Sequence, residues 1–248
     1  MNKLTMLTAY DFNTARALDE AGLDFILVGD SLANVFLGYE TTQEVSLEEM
    51  LICTKAVLRG VKKAKVIGDL PYVSVSKGVK AAYEDALKFY EAGVYALKIE
   101  NAEPESLELI SALVSSSHKV FGHIGYTPQS VDKFKGRSKL VTDSERLLEE
   151  ARLLEAAGVI GIVLEMLPEM AAKLITESVK PFTIGIGAGS HTTGQVLVTD
   201  DLLGRYNLFK PKFVKRFAHQ YDDMLDAFKK YVKEVKSAEF PSTSEVLA

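Results

Sequence analysis

The chain has a single cysteine, Cys53, and no tryptophan in 248 residues. One cysteine excludes an intramolecular disulfide and any cysteine-based metal cluster, and it fits a reducing compartment better than secretion. Basic charge is not in excess: 29 Lys and Arg stand against 34 Asp and Glu, a net charge of −5. That balance gives no reason to expect a nucleic-acid partner. No apolar run approaches the roughly 18 residues of a membrane span. The stretch from Met1 to Asp11 lacks the apolar core of a signal peptide. The expectation is a soluble, cytoplasmic protein with no membrane partner. The seven prolines are scattered, so no linker divides the chain. With 47% apolar and 25% charged residues the composition is that of a folded domain. A chain this long needs neither a disulfide nor a structural metal for stability.

What is present is a repeated phrase. Glu20-Ala21-Gly22-Leu23 leads into Phe25-Ile26-Leu27-Val28-Gly29-Asp30. Glu91-Ala92-Gly93-Val94 leads into Ala96-Leu97-Lys98-Ile99-Glu100, and Ala156-Ala157-Gly158-Val159 into Ile160-Gly161-Ile162-Val163-Leu164-Glu165. Each reads as a helix end, a left-handed glycine cap and a short apolar strand. Gly22 to Gly93 is 71 residues and Gly93 to Gly158 is 65, about two strand–helix units each at a little over thirty residues per unit. Strands that are apolar throughout are buried on both faces, as in a parallel sheet.

The remaining strands are predicted at Leu4 to Ala9, Lys65 to Leu70, Lys119 to Ile124 and Phe182 to Ile186, with the eighth at Arg205 to Phe209. Helices are predicted at Phe12 to Ala21, Leu47 to Lys62, Val79 to Glu91, Pro104 to Ser115, Ser144 to Ala156 and Pro168 to Glu177. Lys212 to Lys236 reads as a basic amphipathic helix, a solvated face or subunit contact more readily than an anion-binding surface. The fold class is α/β: one (β/α)8 barrel domain over residues 1–248, carrying a C-terminal amphipathic helix at about 212–236. A doubly wound open sheet is the alternative, weakened because no Gly-x-Gly-x-x-Gly follows the first strand.

Asp30, Asp69 and Glu100 end the second, third and fourth strands, at the end of a barrel where chemistry is located. Three neighbouring hard oxygen ligands without His or Cys suit Mg²⁺. Each acid alone could instead be a helix cap or an ion-pair partner. Lys98, two residues before Glu100, shares its side of the strand. It is either a structural ion pair or a cation for a substrate carboxylate or developing enolate. Glu165 ends the sixth strand beside Leu164 and Met166. It is a general base of raised pKa or a cap for the helix that follows. His123, in Gly122-His123-Ile124-Gly125, is a structural residue or a support to catalysis. Gly185-Ile186-Gly187-Ala188-Gly189 offers phosphate contacts or only close packing. No Ser-His-Asp set, P-loop or metalloprotease motif is present. An acid-lined mouth with one Lys and one base suits enolisation of a 2-oxo acid.

From about Met6 to Gly204 these residues resemble the ketopantoate hydroxymethyltransferase family of the phosphoenolpyruvate/pyruvate barrel superfamily. The matching segments, in order, are Leu7-Thr8-Ala9-Tyr10-Asp11, Val28-Gly29-Asp30-Ser31, Gly68-Asp69-Leu70-Pro71, Leu97-Lys98-Ile99-Glu100, Gly122 to Ser130, Val163-Leu164-Glu165 and Gly185 to Gly189. The resemblance implies Mg²⁺ carboxylates at Asp30, Asp69 and Glu100. It puts oxo-acid contacts at Asp30, Ser31, Asp69 and Lys98 and the base at Glu165. The implied reaction removes a C3 proton from 3-methyl-2-oxobutanoate, and the enolate attacks the methylene carbon of 5,10-methylenetetrahydrofolate. The product is 2-dehydropantoate, on the route to pantothenate and coenzyme A. The resemblance also implies a homo-oligomer, often a decamer. This sequence departs from the family pattern at Tyr39 and Cys53, where the family has His, in a shortened loop around Phe134-Lys135-Gly136-Arg137, and at Thr193-Gly194-Gln195 in place of Asp-Gly-Gln. None of these falls on the metal or base positions. A magnesium-dependent 2-oxo acid lyase or aldolase and a non-catalytic barrel are the alternatives. The Gly122-to-Ser130 and Val163-Leu164-Glu165 segments favour the transferase.

Overall fold

Short apolar strands of four to six residues cannot stand alone, and here eight of them close on one another in chain order. The structure, a computed structural model, describes residues 3–129, 142–242 and 244–246. The strands are β1 (Leu4–Thr8), β2 (Phe25–Val28), β3 (Lys65–Asp69), β4 (Ala96–Glu100), β5 (Val120–Gly125), β6 (Gly161–Glu165), β7 (Phe182–Ile186) and β8 (Gly194–Leu197). Every neighbouring pair is parallel, and β8 returns to β1 through the Leu4–Gly194 to Leu7–Leu197 register. The helices are α1 (Phe12–Ala21), α2 (Leu47–Gly60), α3 (Tyr72–Val75), α4 (Val79–Ala92), α5 (Pro104–Ser115), α6 (Ser144–Ala156), α7 (Glu169–Ser178), α8 (Thr199–Leu202) and α9 (Gln220–Lys236). The expected (β/α)8 barrel is therefore the fold. Local chemistry sets several helix boundaries: Asp11 caps α1 by accepting from the Thr14 N–H, and Ser46 with Glu49 forms a capping box on α2.

Side-chain alternation sorts the strand residues into two layers. Ile26, Val28, Leu97, Ile99, Ile124, Ile162 and Leu164 face outward into the core shared with the helices. Met6, Phe25, Leu27, Ile67, Ala96, Phe121, Ile184 and Val196 fill the barrel interior. Gly161 makes room for that filling, because a Cβ there would lie 2.2 Å from the Phe121 ring. The same alternation turns Asp69 on β3, Lys98 and Glu100 on β4 and His123 on β5 inward, toward the C-terminal mouth. Such charges are expensive to bury. Leu97 and Ile99, fully buried on the other face of β4, each contribute about 2 kcal/mol in the opposite direction.

The eighth strand lies elsewhere than the sequence suggested. Gly194–Leu197 pairs with β1 and β7, and the seven residues Gly187 to Thr193 that join β7 to β8 contain no helix. The helix-length spacing assumed for the earlier units therefore overshoots this one. β8 is also short and begins with glycine, and its Gln195 is exposed, so it carries little of the apolar run that marks the other strands. The segment Arg205 to Phe209 is irregular, with Leu208 and Phe209 exposed.

The chain forms two units, Met1–Val198 and Thr199–Ala248. Within the second, the residues from Lys212 to His219 are not helical. Val214 is buried there, and the Phe217 and Gln220 N–H groups donate to the Leu202 and Leu203 carbonyls, so α9 starts only at Gln220. Met224, Leu225, Phe228, Tyr231, Val232 and Val235 form an exposed apolar stripe along it. Among the described residues, no helix is long and apolar enough to cross a membrane.

Candidate active site

Strand register alone brings the charged residues together. Asp69 on β3 lies level with Lys98 on β4, and Glu100 on β4 lies level with His123 on β5. Parallel neighbours sit about 4.8 Å apart, so long side chains from these positions meet. Lys98 Nζ is 3.1 Å from Asp69 Oδ1 and 3.2 Å from Glu100 Oε1. His123 Nδ1 is 3.2 Å from the same Glu100 oxygen, and its Nε2 is 3.4 Å from Glu165 Oε2 on β6. Asp30 lies two residues beyond β2, and its N–H donates to Asp69 Oδ2 at 2.9 Å. Ser31 Oγ is 2.9 Å from the Tyr10 hydroxyl. Every residue singled out in the sequence, Asp30, Ser31, Asp69, Lys98, Glu100, His123 and Glu165, lines one cavity of about 210 Å³.

None of the four acids caps the helical segment that follows it: the capping positions are Leu32, Pro71, Glu103 and Pro168. The ion-pair alternative is realised for Asp69 and Glu100, both held by Lys98. Left-handed backbone follows two of the acids. Asn101 and Met166, directly after Glu100 and Glu165, have φ of 62° and 53°, and such strain in non-glycine residues concentrates at functional sites. Gly125 has φ 102°, and a Cβ on it would lie 2.2 Å from the Glu165 carbonyl oxygen. Only glycine fits between β5 and the base candidate.

The electrostatics follow from burial. Burial, joined by the Asp69 charge, pushes the Asp30 carboxyl well above the usual carboxylate range. Burial also raises Asp69, against the pull of Lys98. Burial alone would raise Glu100, but Lys98 and His123 outweigh it and hold the carboxyl at about 2. Burial and the Lys98 charge press the His123 imidazole down. The Glu100 and Glu165 carboxylates overcome both and carry it to about 9. Lys98 is raised as well: burial opposes its charge, and Asp69, Glu100 and Asp30 prevail.

Among the described residues, four acids thus face two cations around this cavity. Burial and the neighbouring Asp69 charge hold the Asp30 carboxyl above its ordinary range, and Asp69 Oδ1 is buried without a well-aligned hydrogen bond. Both features fit a cation. The structure does not bring Asp30, Asp69 and Glu100 to one point, however. Among the described residues no three His, Cys, Asp or Glu side chains converge closely enough to hold a metal by themselves. Both Glu100 oxygens are already engaged, Oε1 by Lys98 and His123 and Oε2 by the Gln129 N–H at 3.0 Å. Mg²⁺ fits such a site, because it commonly takes one or two carboxylates and completes its shell with water and substrate oxygens.

Two residues given no role from the sequence belong here. Gln129 Nε2 donates to Asp30 Oδ2 at 3.1 Å and to the Leu70 carbonyl at 3.0 Å. Thr42 lines the cavity with a buried hydroxyl that has no hydrogen-bond partner. Gln129 lies inside the Gly122-to-Ser130 segment, the one signal that could have found it. The Gly185-to-Gly189 stretch plays a different part. The adjoining Ser190 donates its N–H and Oγ to Glu169, and Gly189 abuts the Glu169 side chain. A carboxylate in that position repels an anion, so the glycines serve close approach. Ser130 and the loop around 134–137 lie outside the described residues.

With this geometry in hand, comparisons with known proteins point one way. The family model for ketopantoate hydroxymethyltransferase matches residues 1–243. The 3-methyl-2-oxobutanoate hydroxymethyltransferase of Clostridium botulinum (strain Langeland) is 46% identical, over 96% of this chain and 88% of its own. The enzyme of the same name from Thermotoga neapolitana is 48% identical, over 98% and 91%. Among solved structures, a phosphonopyruvate hydrolase in complex with oxalate and Mg²⁺ aligns with a TM-score of 0.64 at 12% identity, over 98% of this chain and 88% of that one, which shows a shared fold.

Proposed function

The chain belongs to the ketopantoate hydroxymethyltransferase family, and on that premise we propose that it transfers a hydroxymethyl group from 5,10-methylenetetrahydrofolate to 3-methyl-2-oxobutanoate. The product, 2-dehydropantoate, is a precursor of pantothenate and coenzyme A. The observation that carries the reading is the shared cavity: Glu165 faces the same space as the Asp30–Asp69 pair and the Lys98 ammonium.

Asp30, Ser31, Asp69 and Lys98 are the set assigned to the oxo acid. Asp30 and Asp69 would hold Mg²⁺, with Glu100 behind Lys98 completing the acidic set. Bound there, the ion supplies a Lewis acid that eases removal of a proton next to the keto group. Glu165 takes the C3 proton onto its carboxylate. His123, hydrogen-bonded on one side to Glu100, presents its other ring nitrogen to Glu165 at ion-pair distance and orients that carboxylate without locking it. Lys98 places positive charge beside the cavity where negative charge develops on the substrate. The carbon freed of its proton then forms a bond to the methylene carbon of the folate. The two carbon–nitrogen bonds to that methylene break, water supplies the hydroxyl, and the folate nitrogens take up the other water proton and the proton held by Glu165 as tetrahydrofolate leaves. Self-association into a homo-oligomer and a cytoplasmic location belong to the same reading, supported by the exposed apolar stripe of α9 and by the lone buried Cys53.

The test is product formation from the two substrates. Formation of 2-dehydropantoate that requires both, and that stops with EDTA and resumes with Mg²⁺, is the expected result. A folded, Mg²⁺-supplied sample that forms none overturns the assignment.

A further inference from the structure

One neutral side chain ties the acidic cluster together. Gln129 follows β5 by four residues and is buried. Its side-chain amide spends both protons on oxygen acceptors from two other loops, Asp30 Oδ2 at 3.1 Å and the Leu70 carbonyl at 3.0 Å. Its peptide N–H donates to Glu100 Oε2 at 3.0 Å. Its carbonyl in turn accepts from Gln43 Nε2 at 2.8 Å, across 86 residues of chain. Gln43 belongs to the 3-10 turn Thr42–Glu44 that follows β2. One residue therefore bonds to the ends of β2, β3 and β4, and a second glutamine holds it in place from outside.

This arrangement solves a specific problem. Asp30 and Asp69 must be kept close together with their oxygens turned to the cavity, yet a further Lys or Arg at that point would compete with a bound cation. An amide supplies directed hydrogen bonds without net charge. Its orientation is fixed as well, since both neighbours of Nε2 are acceptors.

We propose that Gln129 is the positioning residue of the cation and oxo-acid site, setting the Asp30 and Glu100 carboxylates, and that Gln43 clamps it there. The proposal rests on the functional reading above for the identity of the oxo acid, but its cation part stands separately. Partners of this kind, one step removed from a metal, affect metal affinity by roughly 10–100-fold.

The experiment compares wild-type protein with Gln129→Met and Gln43→Leu. Mn²⁺ binding is followed by electron paramagnetic resonance without substrate, and 3-methyl-2-oxobutanoate concentration dependence by C3 proton exchange. Gln129→Met is expected to weaken Mn²⁺ binding and raise KM by roughly 10–100-fold. Its saturated exchange rate should stay within about threefold of wild type, because the base is untouched. Gln43→Leu should show the same pattern at a few-fold, the scale of one neutral hydrogen bond. Wild-type Mn²⁺ affinity in folded Gln129→Met overturns the proposal, as does a fall in saturated rate with affinity kept. If Gln129→Met does not fold, Gln43→Leu decides: weakened Mn²⁺ binding supports the proposal and wild-type affinity overturns it. If wild-type protein shows no C3 exchange, the functional reading fails, and the Mn²⁺ titrations still decide the role of Gln129.

Discussion

His123 Nε2 lies 3.4 Å from Glu165 Oε2, while the opposite ring nitrogen sits 3.2 Å from Glu100. A single imidazole thus spans the acid cluster of β4 and the carboxylate of β6. At 3.4 Å the Glu165 contact is an ion-pair distance more than a well-formed hydrogen bond, so Glu165 is oriented without being locked and remains able to accept a proton.

Glu165→Gln removes the proposed base and keeps the shape. C3 proton exchange is expected to fall by about 10²–10⁴-fold, the range for a general base, with oxo-acid affinity nearly unchanged. Calorimetric binding beside the exchange assay separates the two. Wild-type exchange in the variant would take Glu165 out of the chemistry.

Asp69→Asn removes one of two closely spaced carboxylates and one of the two anions facing Lys98. Mg²⁺ and oxo-acid affinity should drop together, by at least the roughly 10–100-fold that even outer partners of a metal command. Titration calorimetry with each ligand alone and both together gives the numbers. Unchanged affinity for both would mark Asp69 as purely structural.

Gly125→Ala forces a Cβ onto a residue with φ 102° and against the Glu165 carbonyl. The cost in stability should exceed about 1 kcal/mol, and exchange should fall because β6 shifts with its carboxylate. Thermal denaturation and exchange measured on one preparation check both. A variant with wild-type melting and exchange would show that the end of β5 accommodates a side chain.

Asp19, far from the cavity, supplies a pH prediction. Its carboxylate accepts the Ala64, Lys63 and Lys62 N–H groups after α2. The Ala64 bond foremost, with the other two, outweighs burial and holds its pKa below the ordinary value. A pKa lowered on folding means stability that is fully present above the unfolded value, near 3.9, and is lost as pH falls through the folded one. Asp19→Asn should therefore cost about 2 kcal/mol at neutral pH, with the gap to wild type narrowing in strongly acidic solution. Denaturant titrations across pH measure that gap, and a gap independent of pH would refute a charge-based role.

Much of this was readable in the sequence because two periodicities carried it. Leu97 and Ile99 alternate with Lys98 and Glu100, and charges at buried strand positions advertise themselves. The glycine-capped helix ends at Gly22 and Gly93 fixed where β2 and β4 begin, and both caps are left-handed in the structure. β8 escaped notice because four residues with a leading glycine give almost no pattern. Gln129 escaped because an amide on a loop has neither charge nor period, and its importance arises from three chain-distant acceptors meeting in space. The engagement of Glu100 by Lys98, His123 and Gln129, which keeps it from joining Asp30 and Asp69 at one point, depends on side-chain directions that strand spacing does not reveal.

Removal of the C3 proton of a 2-oxo acid is the step proposed for this cavity. The most direct measurement is proton NMR of 3-methyl-2-oxobutanoate in D₂O with Mg²⁺ and the protein, before any folate is added. The expected result is loss of the C3 proton signal at a rate proportional to enzyme, abolished by EDTA, with 2-dehydropantoate appearing once 5,10-methylenetetrahydrofolate is present. A persistent C3 signal in a folded, Mg²⁺-supplied sample, with and without folate, would contradict it.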